Sequence, residues 1–172
     1  WTLDWLGMAY NGLEEHDDAL ETYFKAFNLS DGTVEVGSGL GHALGEAGEY
    51  KLAKEMADFY DEASKTIYLP ACQRAFIHLG IGENDKAMSL LEQAYKDKSW
   101  FLQFIQIEHW YDPIRNTERF KKLESKMNFP IKKYYDTKMN PFFIYNSYFN
   151  LKKNNTDTKI SSSSPKWSKY QK

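Results

Sequence analysis

Few residues in this 172-residue chain could do chemistry beyond that of an ordinary surface: one cysteine, four histidines and one glycine-rich run. A catalytic thiol needs an oriented base and donors for the developing oxyanion. His42 or His78 could approach Cys72 if helices stack, yet no such constellation is readable from the spacing, and no catalytic residue is assigned. His16, His42, His78 and His109 lie far apart, and none forms a His-x-x-x-His pair or joins a cysteine in ligand spacing, so no metal site is expected. His42 and Glu46 share a helix face, which is half a site at best and reads as a solvated pair. The run Val34-Glu-Val-Gly-Ser-Gly-Leu-Gly41 is reminiscent of a strand entering a phosphate loop. Its glycines miss the Gly-x-Gly-x-x-Gly spacing and no P-loop lysine follows, so packing is the expected role and no cofactor is assigned.

Composition sets the frame for these residues. Apolar residues make up 42% and charged residues 27%, close to ordinary globular usage. A lone cysteine rules out an internal disulfide framework, so the fold must rest on packing. Net charge is −2, but residues 1–130 hold 13 Lys and Arg against 22 Asp and Glu, while residues 131–172 hold 9 Lys against 2 Asp. An acidic body is poorly suited to phosphate backbones, which argues against a nucleic-acid partner. The most hydrophobic uncharged stretch, 139–151, is too short to span a membrane. The first residue is Trp1 and no secretory signal follows it, so a piece of a longer protein is expected.

Internal repetition is the strongest signal. Ala19, Ala53 and Ala87 are 34 residues apart. In the same phase stand Gly7, Gly41 and Ala75, then Tyr10, Leu44 and His78, then Tyr23, Ala57 and Leu91, then Ala26, Tyr60 and Ala94. Apolar stripes at helical spacing flank polar breaks at Glu14–Asp18, Gly48–Glu49 and Gly82–Asp85, so each unit reads as an antiparallel helix pair. Small residues let helices approach closely, while Leu3, Leu6, Tyr10, Tyr23, Phe27, Leu90 and Leu91 are expected to fill the space between layers. His78, at a position otherwise apolar, predicts a partly buried histidine held by a hydrogen bond.

The units resemble the tetratricopeptide repeat family, which favours Leu-Gly, Tyr, Ala, an aromatic or Leu, and Ala in this order. Leu3, Leu6, Gly7, Tyr10, Ala19, Tyr23 and Ala26 follow that pattern. Leu40, Gly41, Leu44 and Ala53 keep it in the second unit, and Ala75, Ala87, Leu91 and Ala94 in the third, where Arg74 and His78 depart from it. Residues 68–130 further resemble the closing segment of bacterial multidomain regulators, through Leu91, Glu92, Ala94, Tyr95, Trp100, Tyr111-Asp-Pro-Ile-Arg115, Arg119, Phe120 and Leu123. Such relatives carry a winged-helix, adenylate-cyclase or kinase domain, and the resemblance implies a cytoplasmic location in a bacterium, or a periplasmic one where the parent has an upstream transmembrane helix. The resemblance implies an all-α, right-handed superhelical stack of about three helix pairs (1–32, 33–66 and 67–98) with a helical cap over 99–130.

In the cap, Trp100, Phe101, Phe104 and Ile105 are expected to cover the last apolar face. Asp112-Pro113 reads as a turn or helix start, Asn116 or Thr117 as an N-cap, and Phe120, Leu123 and Met127 as one face of a last helix. Residues 131–172 form a basic, low-complexity tail, which could be a solvated appendage, an anchor for an anionic surface, or the product of read-through.

The resemblance also implies a groove lined by outward positions of the first helices: Asp4, Met8, Asn11, Ser38, His42, Gly45, Cys72, Phe76 and Leu79. None of these is Lys or Arg, so a carboxylate clamp is absent, and an apolar partner segment is expected. The function implied is a non-catalytic protein-interaction or scaffold module, the regulatory or sensory part of a larger bacterial protein. Its alternatives are a self-association domain, with a second copy as partner, and a small-ligand sensor.

Overall fold

The computed structural model describes residues 2–129, which form eight α-helices and two short 3-10 segments, with no strand among them. The basic tail expected over 131–172 lies outside the described residues. The helices are α1 (Thr2–Gly12), α2 (His16–Leu29), α3 (Val34–Glu46), α4 (Tyr50–Ala63), α5 (Ala71–Gly80), α6 (Asn84–Lys96), α7 (Asp112–Arg115) and α8 (Glu118–Met127). Contacts pair α1 with α2, α3 with α4 and α5 with α6, while α3 also packs on α1, α2 and α5. None of these helices is long and apolar enough to cross a membrane.

The polar breaks fall where the repeat phase puts them. Glu14, Gly48 and Gly82 all take positive φ, at 61°, 84° and 75°. The next N–H, of Glu15, Glu49 and Glu83, donates to the carbonyl of Tyr10, Leu44 and His78 respectively, closing the helix C-terminus with one left-handed residue. Gly48 and Gly82 adopt this conformation without a Cβ penalty, whereas Glu14 carries one.

Small residues mark the tight crossings. Ala19, Ala53 and Ala87 are each 0% exposed. A Cβ on Gly7 would sit 2.9 Å from the Tyr23 ring, and one on Gly41 2.9 Å from Ile77 Cγ2. At Gly45 it would run into the backbone of Gly80, so α3 and α5 meet main chain to main chain. The glycine-rich run is therefore a helix used for close packing. Tyr23, Leu90 and Leu91 are buried as expected, while Leu6 is 40% exposed because α1 packs chiefly on α2 and α3.

The two polar intrusions of the third unit are paired. Arg74 Nη1 donates to Asp61 Oδ1 at 3.0 Å and to Ser64 Oγ at 2.8 Å. The His78 ring lies 2.8 Å from Glu83 Oε2 through Nδ1 and 3.2 Å from Asp61 Oδ2 through Nε2. Lys86 reaches Asp61 at 3.1 Å and Lys54 reaches Glu83 at 2.9 Å. Burial would raise the Asp61 carboxyl, but Lys86, His78 and Arg74 outweigh it and hold the group below the usual carboxylate range.

The cap differs from expectation in its covering residues. Its 3-10 segments are Trp100–Phe104 and His109–Tyr111. With three residues per turn, Leu102 and Ile105 share the inward side, at 2% and 0% exposed, and Trp100 stays 56% exposed. Phe101 and Phe104 are only partly buried, and Trp110, Tyr111 and Ile114 complete the cover. Arg115 ties the segment down by donating to the carbonyls of Ile105, Gln106 and Glu108 at 3.0, 3.0 and 2.7 Å. Thr117 Oγ1 accepts from the Phe120 N–H and caps α8, whose Phe120 and Leu123 are buried, with Met127 packed against them. Asn128, at φ 48°, ends it.

Candidate functional site

Helix α3 packs on both α1 and α5, and the residues expected to line a groove fall on the face these three helices share. On α1 these are Asp4, Met8 and Asn11; on α3, Ser38, His42 and Gly45; on α5, Cys72, Phe76 and Leu79. The structure gathers them and then covers most of them. Asp4 and Met8 are partly buried, while Asn11, Ser38, His42, Cys72, Phe76 and Leu79 are buried. The cover is the chain's own segment 100–111. The Trp110 ring lies 4.3 Å from Phe76 and 5.1 Å from His42 between centroids, and Phe101 lies 6.4 Å from Phe76. Tyr111 Oη meets Cys72 Sγ at 3.8 Å. An extended partner segment has no open course along these positions, because aromatic side chains of the cap occupy it.

The groups that might have reacted are quieted by the same cover. Burial pushes the Cys72 thiol up to about 12, against the smaller pull of the Tyr111 and Ser99 hydroxyls. A thiol so placed is not a nucleophile at neutral pH. Burial, with His109 adding to it, brings His42 down to about 3. His42 pairs with Asn11, its Nδ1 being 3.3 Å from Asn11 Nδ2, and not with Glu46, which is exposed. Among the described residues, no three His, Cys, Asp or Glu side chains come together to hold a metal ion.

One end of the face stays open as a cavity of about 50 Å³. Its walls are aromatic: Trp5 on α1, Phe76 on α5, and Trp100, Phe101, Phe104 and Trp110 from the cap. Trp5 and Trp100 are 49% and 56% exposed at its mouth. Asp4 from α1, Glu35 from α3 and Glu108 from the cap also line it, its surface is mainly apolar, and among the described residues no Lys, Arg or His lines it. Among the described residues none of the three enters an ion pair or a side-chain hydrogen bond. Burial raises the Glu108 carboxyl to about 6, and burial raises that of Asp4 against the pull of the N-terminal ammonium, with Glu35 adding a smaller push upward. Gln73 completes the lining, 0% exposed, with neither Oε1 nor Nε2 partnered, and Trp110 Nε1 is likewise buried without a partner.

Sequence reasoning reached Asp4, Met8, Ser38 and Phe76 of this lining and missed Trp5, Glu35, Gln73, Glu108 and Trp110. Glu35 stands one turn before Ser38 on the same face, and Gln73 adjoins Cys72. Five aromatics in residues 100–111, Trp100, Phe101, Phe104, Trp110 and Tyr111, are the available signal for a segment that folds back.

Comparisons of the chain with protein-family models, with curated proteins and with solved structures find no match.

Proposed function

We propose that this chain is a non-catalytic protein-interaction module of the tetratricopeptide type, serving as the regulatory part of a larger bacterial protein. Its recognition site is the aromatic cavity at the end of the α1, α3 and α5 face. The repeat phase of buried alanines and left-handed turns supports the repeat assignment. One observation carries the functional reading: on a face otherwise filled by the chain itself, a mainly apolar cavity remains whose mouth exposes two tryptophans. Tryptophan is enriched among the few residues that carry most of the energy of protein interfaces. The partner therefore inserts a short side chain and does not lie along the face.

A peptide array probed with the full chain tests this reading. Selective binding that is lost in Trp5→Ala and Trp100→Ala is expected. Binding that survives both substitutions would move the site elsewhere, and turnover lost on Cys72→Ala would overturn the non-catalytic reading.

A second reading, self-association, draws on another surface. Phe24, Leu52 and Phe59 are 47%, 47% and 69% exposed along one cleft between α2 and α4. Contiguous apolar patches on monomers commonly mark contact sites. A concentration-dependent dimer in sedimentation, abolished by Leu52→Glu, is the result this reading requires.

A further inference from the structure

Repeat phase shows what the stack asks of the outer surface of α2 and α4. At the 34-residue spacing, Phe24 stands in phase with Asp58 and Glu92, Phe59 with Lys25 and Gln93, and Leu52 with Asp18 and Lys86. The other two units build the same helix pair with polar residues at each of these positions, so the stack does not require the three apolar side chains. Phe24, Leu52 and Phe59 nevertheless gather on one cleft of about 440 Å³, floored by Leu40 and Leu44. Phe59, at 69% exposed, leaves most of its ring in water.

On α4, Leu52, Met56 and Phe59 stand at i, i+4 and i+7 and make one stripe. Along its outer flank run Lys51, Glu55, Asp58 and Glu62, all exposed. Among the described residues Lys51 and Glu55 enter no ion pair, while Asp58 meets Lys54 at 3.1 Å and Glu62 meets Lys65. The flank is thus basic at its N-terminal end and acidic at its C-terminal end. Such a flank complements its own copy when the two helices run antiparallel, and repels it when they run parallel.

We propose that two copies of this chain associate by packing α4 antiparallel on α4, about a twofold axis beside Glu55 and Met56. This inference rests on the reading of the α2 and α4 cleft as a self-association surface. A twofold contact makes every pairing twice. Leu52 of each copy lies opposite Phe59 of the other, and the Phe59 ring enters the second copy's cleft. A cavity of about 150 Å³ holds benzene, so the cleft has room for the ring and for part of its neighbours. Lys51 comes between Asp58 and Glu62 of the second copy. Glu55 meets its own counterpart near the axis, a like-charge contact that weakens the pair.

Other occupants fit less well. The exposed charges of α2 and α4 are mainly acidic, which an anionic bilayer repels. A free apolar molecule would fill the cleft but leave Lys51 without a partner.

The test is sedimentation of the full chain over a concentration series. A dimer is expected. Lys51→Glu alone, and Asp58→Lys with Glu62→Lys in one chain, should each weaken it at least about tenfold, because close interfacial charge pairs are made twice. An equimolar mixture of the two variants restores opposite charges at both pairings and should dimerise like wild type. Glu55→Gln should tighten the dimer several-fold. All four positions are exposed, so the melting transition is retained. If Leu52→Glu abolishes the dimer while the charge variants, alone and mixed, match wild type, the antiparallel arrangement is overturned and the cleft remains the contact surface. A dimer untouched by Leu52→Glu, or a monomer at every concentration, would overturn both.

Discussion

Asp61 on α4 meets Arg74, Lys86 and His78 at 3.0, 3.1 and 3.2 Å, whereas Asp4, Glu35 and Glu108 face one cavity with no cation among the described residues. The two regions lie on opposite sides of α5, which supplies Arg74 and His78 to one and Gln73 and Phe76 to the other. In the first region, burial and pairing are matched, and the carboxyl is held below its usual range. In the second, burial is unmatched and the Glu108 carboxyl rises to about 6. The difference separates a carboxylate tied into the joint between helices from carboxylates that enter no ion pair among the described residues.

Removing the paired group should do the greatest damage. Asp61→Ala strands the Arg74 guanidinium beside His78, and loss of one partner from a buried pair typically costs about 3 kcal/mol or more. Urea unfolding should show that loss, and an unchanged midpoint would mean the network contributes nothing to the fold. The cavity should respond in the opposite direction. Gln73→Leu removes two unsatisfied buried polar atoms at similar volume and should stabilise the free chain by about 1 kcal/mol. A loss of stability there would mean that Gln73 has a structural partner.

The pH dependences also differ in sign. The Glu108 carboxyl is raised from 4.5 to about 6 in the folded chain, so its contribution to stability is in place below 4.5 and lost as pH rises through about 6. The Asp61 carboxyl is lowered from 3.8, so its contribution is in place above 3.8 and lost as pH falls through the lowered folded value. Unfolding of wild type and Glu108→Gln at several pH values isolates the first effect. The difference between them should open between 4.5 and 6, and a flat difference would remove Glu108 from the desolvated cluster. The smallest expected effect lies outside both regions and calibrates them. Glu14→Gly relieves a left-handed non-glycine residue and should add about 0.5–1 kcal/mol, read from the same denaturation curves.

The helix pairs were legible because steric constraints repeat. Ala19, Ala53 and Ala87 are fully buried between helices, and Gly48 and Gly82 sit where the chain turns left-handed, so packing leaves a trace at fixed spacing. His78 was legible too, as a polar residue in an apolar phase that must find a partner, and it is 1% exposed between two carboxylates. The candidate site was legible only in part. Helical phase gave the shared face, but it could not show that Trp110 and Phe101 fold over that face, since 3-10 segments of five and three residues are too short for their period to be read from sequence. The same cause misplaced Trp100 and overlooked Leu102. Glu108 and Gln73 come from different elements, and nothing in their sequence positions announces that they share a cavity.

Cys72 is the chain's single thiol, and it lies beneath Tyr111 in the segment that closes the face. A thiol-reactive dye can therefore attach at one place only, and only when that segment lifts. The rate of labelling is thus a clock for the opening of the cover, needing no engineered probe. An occupant that braces Trp110 from the cavity side would slow that clock.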